Sequence, residues 1–418
     1  MTDLGRSRTA PKRRVLMIQY TGDYRKGFIQ LQSGGGETYH SQRYSLEKTA
    51  EIGRKYGKIC VLCCFGEEAY DEVMDNGVRA MGVGLSVADL RTEPILAKIR
   101  EFQPTNLIVV GPFMEVIRWG IHQNIDTLPC LADSFTLSTT GLSPIKALGR
   151  TVKHQFYCLR LARLLNSPRI RWIANHNVPA CRDLERIGVN PQKIVPWDWM
   201  QTTSPDMYDP KPGPANGAPW HLVYVGAVTE LKGVGDAIDA VAVLKRRGRD
   251  VELSIIGKGD VDELSVRARD AGVAERVHFE GLQTNAYVME AMRASDLVVV
   301  PSHHRYPEGL PCVFYEAFAT RTPVICSDHP MFRGIISEDA AMLVPEKRSD
   351  KFADAVIRIL CSPDLYRRMS VSTKDAWLRI QCPVLWDELI DHFLGASDED
   401  DRWLEQNSLG SRRYSSFK

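Results

Sequence analysis

The sequence predicts an α/β protein of two doubly wound units with a cleft between them, and three observations carry that expectation. Short apolar runs alternate with stretches of helical period along most of the chain, the pattern of parallel strands joined by crossover helices. Residues 201–219, dense in proline and glycine, interrupt the alternation near the middle, and it then restarts. The 418 residues also exceed what one ordinary core serves, so two domains of roughly 150 to 200 residues are expected.

Taken in order, residues 1–14 form a basic leader without the apolar stretch of a secretory signal. It is expected to be solvated and disordered, with a weak encounter with anionic lipid headgroups as its alternative use. In the first unit, residues 15–200, the apolar runs predict strands at 15–20 ("VLMIQY"), 59–64 ("ICVLCC"), 78–83, 107–111, 129–132 and 170–174, with helices such as "HSQRYSLEKTAEIGRKYG" between them. Residues 201–219 read as a linker. In the second unit, residues 220–382, strands are expected at 221–226, 251–257, 277–281, 296–302, 323–328 and 341–345. A last helix, 383–395, begins near Pro383 and puts Trp386, Leu389, Ile390 and Phe393 on one face, so it must cross back and pack on the rest of the protein. Residues 396–418 have mixed charge and little pattern, and read as a mostly disordered tail.

Composition narrows the function classes. Hydrophobic residues make up 44% and charged residues 25% with a net charge of +1, so no overall electrostatic argument points to nucleic acid. Of the ten cysteines, Cys60, Cys63 and Cys64 share one apolar run and the others are scattered, which reads as reduced core thiols and not as a metal site. No apolar run reaches the 18 or so residues that span a bilayer, and a cytoplasmic protein is expected.

The chemistry concentrates in "DLVVVPSHHRYPEGLPCVFYEAFATRTPVICSD", residues 296–328. Pro311 is expected at the first position of a helix, where its missing N–H costs nothing. The amides of Cys312, Val313 and Phe314 would then point outward at the positive end of the helix dipole and suit a phosphate or diphosphate. Glu308 precedes that helix start and Glu316 follows it by roughly 7 Å at 1.5 Å rise per residue. Carboxylates flanking a bound phosphate repel it unless they are occupied by hydroxyl donors, such as a sugar on one side and a ribose diol on the other. A nucleotide-activated sugar has that order of parts.

This stretch resembles the glutamate-seven-glutamate region of family 4 glycosyltransferases, retaining enzymes of the two-domain, Rossmann-like GT-B fold. "LVYVGAVTELKGVGDAIDAVAVLKRRG", "LSIIGKGD" and "VHFEGLQTNAYVMEAMRASDLVVVPS" resemble the same family's nucleotide-binding domain. The resemblance implies a nucleotide-sugar donor, an acceptor bound mainly by the first unit, transfer with retention, and no metal or other cofactor. It assigns Lys232 to the donor diphosphate, Glu308 to the donor sugar and Glu316 to the ribose. Gly309, Leu310, Pro311, Cys312 and Val313 become the backbone cradle, Gly226, Gly257 and Gly259 turns near the nucleotide, and Leu282 part of the base region. "SGGGETYHSQRYSLEKTA" resembles the family's glycine loop, so Gly34, Gly35 and Gly36 would approach the donor phosphates before a helix N-terminus. A peripheral membrane contact, with a lipid-linked acceptor, also follows from the family's habits.

Two positions depart from the family pattern. Ala227 stands where an arginine is common, which leaves Lys232 without a cationic companion unless Arg305, His303 or His304 supplies the charge. Ala132 stands where a histidine is common, followed by Asp133, which either orients a donor-sugar hydroxyl or caps the next helix. A nucleotide-sugar epimerase, or a relative that binds without turnover, are the competing readings.

Overall fold

A computed structural model describes residues 12–20, 22–86, 91–132, 134–139, 142–214 and 219–414. The first unit contains strands β1 (Arg13–Gln19), β2 (Gly57–Phe65), β3 (Ala69–Val73), β4 (Arg79–Leu85), β5 (Asn106–Val110), β6 (Asp126–Leu131), β7 (Ile173–His176) and β8 (Ile194–Trp197). Its helices are α1 (Tyr24–Gln32), α2 (Gln42–Tyr56), α3 (Thr92–Phe102), α4 (Met114–His122), α5 (Pro144–Leu165) and α6 (Val178–Arg186). The strands form one sheet in the order β3-β4-β2-β1-β5-β6-β7-β8, parallel except for β3.

Burial on both faces explains why these strands read as unbroken apolar runs. In β2, Ile59, Val61 and Cys63 face the layer that contains Leu46, Ala50 and Ile52 of α2. Cys60, Leu62 and Cys64 face the opposite layer with Ile95 and Ile99 of α3. The three cysteines are therefore core residues of one strand.

Two strands escape the apolar criterion. β3 is an edge strand paired antiparallel to β4, and only Tyr70 in its sequence "AYDEV" is even partly buried. β8 has four residues and includes Pro196, which an edge strand tolerates because one side of its ladder is open. β7 lies further along the chain than the expected 170–174, and at its approach the side chains of Arg171 and Trp172 both donate to the Asp401 carboxylate, at 3.0 and 3.1 Å.

The second unit contains β9 (Trp220–Val225), β10 (Val251–Ile256), β11 (Val277–Gly281), β12 (Leu297–Val300), β13 (Val324–Ser327) and β14 (Ala341–Val344). Between and after them come α7 (Val234–Arg246), α8 (Val261–Asp270), α9 (Asn285–Ala294), α10 (Cys312–Ala319), α11 (Ser349–Leu360) and α12 (Pro363–Ile380). The order β11-β10-β9-β12-β13-β14 means that the chain builds outward from β9, then returns to lay β12 on its other side. Loops leaving β9 and β12 diverge there and open a crevice at the carboxyl ends of the strands.

Part of the proline-rich linker lies against the second unit. Lys211 is buried there, its Nζ donating to the Met292 and Ser295 carbonyls at 3.0 and 2.5 Å near the end of α9, and burial lowers its pKa to about 7. After α12 the chain returns to the first unit: α13 (Trp386–Gly395) buries Trp386, Leu389, Ile390 and Phe393 in the cluster that holds Val15 and Ile59. Asp198 splices this return to the end of β8, its N–H donating to Val384 O (2.9 Å) and its carbonyl accepting from Trp386 N (3.0 Å).

The tail corrects the sequence reading. Residues Asp398–Gln406 form α14, and Leu404 and Tyr414 are buried in that same cluster. The "SDEDD" run that looked patternless is a capping box: Asp400 N donates to Ser397 Oγ (3.2 Å), and the Asp400 carboxylate accepts from Ser397 N (3.0 Å). Four acids in the first turn of α14 also favour the positive end of its dipole.

Candidate functional site

The crevice beside β9 is built first by backbone. Gly257, at the end of β10, has φ +149°, and a Cβ there would stand 1.8 Å from the Gly226 carbonyl, so only glycine lets the two turns approach. Gly226 N donates to Ile256 O (3.0 Å) and Val228 N to Lys258 O (2.8 Å), and Val228 bridges to Gly259. Thr229 then caps a short 3-10 turn, its Oγ1 accepting from Lys232 N at 3.3 Å, and this turn carries Lys232 into the crevice.

From β12 come the acidic partners. Lys232 Nζ donates to Glu308 Oε1 at 2.6 Å, and Ser302 Oγ donates to the same oxygen at 2.6 Å. Glu308 is only 4% exposed, and the Lys232 ammonium also stands 4.3 Å from the Tyr306 ring centre. A buried carboxylate with one cation and one hydroxyl donor is electrically settled.

That helix, α10, starts one residue later than expected. Pro311 is its N-cap in an extended conformation, and Phe314 N already donates to Pro311 O at 3.1 Å. The expectation of three outward amides therefore narrows to Cys312 and Val313, because the first turn closes in 3-10 fashion. One turn further in, Glu316 Oε1 accepts from Asn285 Nδ2 at 2.6 Å. Burial pushes the Glu316 carboxyl up to about 7, opposed by the Asn285 bond.

Gly226, Lys232, Gly257, Leu282, Glu308 and Glu316 line one cavity of about 590 Å³, with Pro311, Cys312 and Val313 at its floor. Gly309 lies beside it, where a Cβ would come 3.1 Å from the Ala132 carbonyl of the first unit. Leu310 points into the core among Phe314 and Phe332. Asp133 lies outside the described residues.

The glycine loop is placed differently from its expectation. The residues just before the glycines form α1. Gly34 and Gly35 end that helix, their amides donating to Leu31 O (3.3 Å) and Gln30 O (2.8 Å). Gly36 makes the close approach, but to the other unit: a Cβ there would meet Thr284 Cγ2 at 2.8 Å, and next to it Asn285 N donates to Glu37 O at 2.7 Å. The residues of this loop that reach the cavity are Thr38, Tyr39 and His40.

Several lining residues carry no sequence expectation: His40, Trp199, Lys258, Asn285 and Ser302. His40 is buried with its Nε2 unpaired, and desolvation lowers its pKa, so it stands as a neutral imidazole. The only sequence signal for it was its place four residues after a glycine triplet. Lys258, exposed on the cavity wall beyond Ala227, is the second cation there. His303 and His304 do not fill that role: each is engaged by a carboxylate, Asp236 and Asp328, at 2.7 Å. Arg305 is exposed and outside the lining.

Residues 209–375 match the family described as glycosyl transferases group 1. Among curated proteins, the chain is 35% identical over 154 residues to alpha-D-kanosaminyltransferase of Streptomyces kanamyceticus, covering 36% of this chain and 38% of the other. It is 38% identical over 141 residues to phosphatidyl-myo-inositol mannosyltransferase of Mycolicibacterium smegmatis, covering 33% and 36%. The chain thus aligns with under two fifths of these relatives' length. Among solved structures, sucrose-phosphate synthase from Thermosynechococcus elongatus superposes with TM-score 0.62 at 16% identity, over 97% of this chain and 100% of the other. HepE from Anabaena, in complex with UDP-glucose, superposes with TM-score 0.61 at 14% identity, over 96% and 100%. These likenesses establish the GT-B fold.

Proposed function

We propose that this protein is a glycosyltransferase that moves a sugar from a nucleoside-diphosphate donor to an acceptor hydroxyl, with retention of configuration. One observation carries the reading: the Lys232–Glu308 pair and the Asn285-bound Glu316 lie on either side of the α10 N-terminus in one cavity between the units. The relatives' identities as sugar transferases and the UDP-glucose bound by HepE support it.

In this reading the diphosphate sits on the Cys312 and Val313 amides and draws the Lys232 ammonium from Glu308, with Lys258 as the second cation near Ala227. Glu308, released from Lys232, accepts hydrogen bonds from the donor sugar, and Glu316 accepts from the ribose diol. As the bond from anomeric carbon to phosphate oxygen breaks, the electron pair leaves on the diphosphate, where these charges hold it. The acceptor oxygen forms the new bond to that carbon and passes its proton to the diphosphate that has just departed. Neither glutamate serves as a glycosidase acid, because a diphosphate departs without protonation.

Incubation with a panel of labelled nucleotide sugars and candidate acceptors tests the proposal. Free nucleoside diphosphate together with a glycosylated product is the expected outcome. Interconversion of free nucleotide sugars, or nucleotide binding without turnover on any acceptor, would overturn it.

A further inference from the structure

We propose that a second cavity between the units, separate from the one at Lys232, binds a phosphate-bearing small molecule that bridges them. Its volume is about 520 Å³, within the roughly 300–1,000 Å³ of small-molecule sites, and it shares no lining residue with the cavity of Lys232 and Glu308. The first unit supplies Arg182 and Arg186 of α6. The second supplies Arg333, from the segment after β13, and Arg379, from the last turn of α12.

Four guanidinium groups around one gap repel each other across the seam, and the protein offsets them only in part. Among the described residues of the lining there is one carboxylate, Asp183, and it is already engaged. It is buried, its Oδ2 accepts from Phe135 N (3.2 Å) and Thr136 Oγ1 (2.8 Å), and its Oδ1 accepts from Arg186. Arg333 pairs with Asp328 of its own unit, and Arg182 donates to the Tyr414 carbonyl at 2.8 Å. Among the described residues no carboxylate pairs with Arg182 or Arg379. An anion is what such a lining lacks. Guanidinium forks match phosphate oxygens, and one phosphate offers enough of them for arginines of both units to share. Val178, Met331 and Ile335 make the rest of the wall apolar, so an ester with an organic part fits better than a bare ion.

The cavity also has a frame and a route to the first one. Ala180 of α6 is buried in the second unit's core with Phe314, Met331 and Phe332, so the units are already in contact at this wall. Met331 N donates to His329 Nδ1 at 3.2 Å, which leaves the His329 Nε2–H to donate to the Tyr306 carbonyl at 3.1 Å. The Tyr306 ring in turn stands 4.3 Å from the Lys232 ammonium. A ligand held against Met331 therefore acts on the position of Lys232 through His329 and Tyr306.

Calorimetric titration of the full chain with phenyl phosphate, without nucleotide, tests the site independently of the transferase reading. Saturable binding that weakens with salt is expected. Arg186, Arg333 and Arg379 are exposed, so their variants should keep the parental melting temperature. Arg333→Gln with Arg379→Gln on the second unit, and Arg186→Gln on the first, are each expected to weaken binding about tenfold or more, while Lys232→Ala leaves it within about twofold. No saturable binding, or a loss confined to the variants of one unit, would overturn the proposal. So would binding that Lys232→Ala abolishes and the arginine variants keep, since the anion would then sit in the first cavity. A transferase assay, the one arm that rests on the proposed function, identifies the source of the phosphate. Competition between phenyl phosphate and the acceptor marks a phosphate carried by the acceptor, and a change in turnover without competition marks a separate effector. Turnover unchanged at saturating phenyl phosphate would overturn the route through His329 and Tyr306.

Discussion

The two walls of the interdomain cavity are built by different means. On the second unit's wall, Gly226, Lys232, Glu308 and Glu316 sit on turns and a helix start fixed by adjacent strands of one sheet. On the first unit's wall, Thr38, Tyr39, His40 and Trp199 come from connections between elements. The first kind of wall is set by one sheet and the second by loops; in the proposed function the first takes the donor and the second the acceptor. Substitutions on the two walls should therefore differ in kind.

The largest effect is expected for Lys232→Ala, which removes the cation that the proposed mechanism sets on the leaving diphosphate and should lower turnover by about a hundredfold or more. Near-parental turnover in a steady-state assay would remove Lys232 from the mechanism. Next comes His40→Ala on the facing wall, expected to lower turnover by about tenfold or more while nucleotide affinity, read by calorimetry, stays within about twofold. An equal loss of nucleotide affinity would erase the distinction between the walls.

Glu316→Gln sharpens the comparison through pH. Burial raises the Glu316 carboxyl to about 7 from its ordinary 4.5. The native state therefore holds this proton more tightly than the unfolded chain, and stability present below about 4.5 is lost as pH rises through about 7. Glutamine never ionises, so the variant should gain stability over the parent at pH 8, on the order of 3 kcal/mol, and little at pH 4. A ribose diol donates to the ionised form, so parental nucleotide affinity should rise between pH 6 and 8 and the variant should lack that rise. A flat parental profile would separate Glu316 from the ribose.

The smallest effect concerns the seam between the walls. Gly36→Ala places a methyl against Thr284 Cγ2, closer than normal contact, so the seam there must shift, with nucleotide affinity weakened by about threefold or less. Adding Thr284→Ser removes that methyl group and retains the hydroxyl that caps α9, and should restore the affinity. Failure of the second change to restore it would show that Gly36 matters for another reason.

The fold was legible because parallel strands buried on both faces are written as apolar runs: β1, β2, β5 and β9 to β14 were expected near their places. Strands that break that rule were not legible. β3 exposes most of its side chains and β8 carries a proline, while α1 and α14 were hidden in segments read by composition, although Asp23 and Ser397 cap them. On the site, the glutamates, Lys232 and the paired glycine turns follow local spacing, so the sequence alone fixes their neighbourhood. Asn285 beside Glu316, Ser302 and Lys232 on one oxygen of Glu308, the unpaired His40 and the approach of Gly36 to Thr284 each join residues from separate elements or units. Periodicity and turn chemistry report what a segment does with its own backbone and one buried face. Which side chains then meet, and which nitrogen is left without a partner, depends on how two sheets are set against each other, and only the tertiary structure decides that.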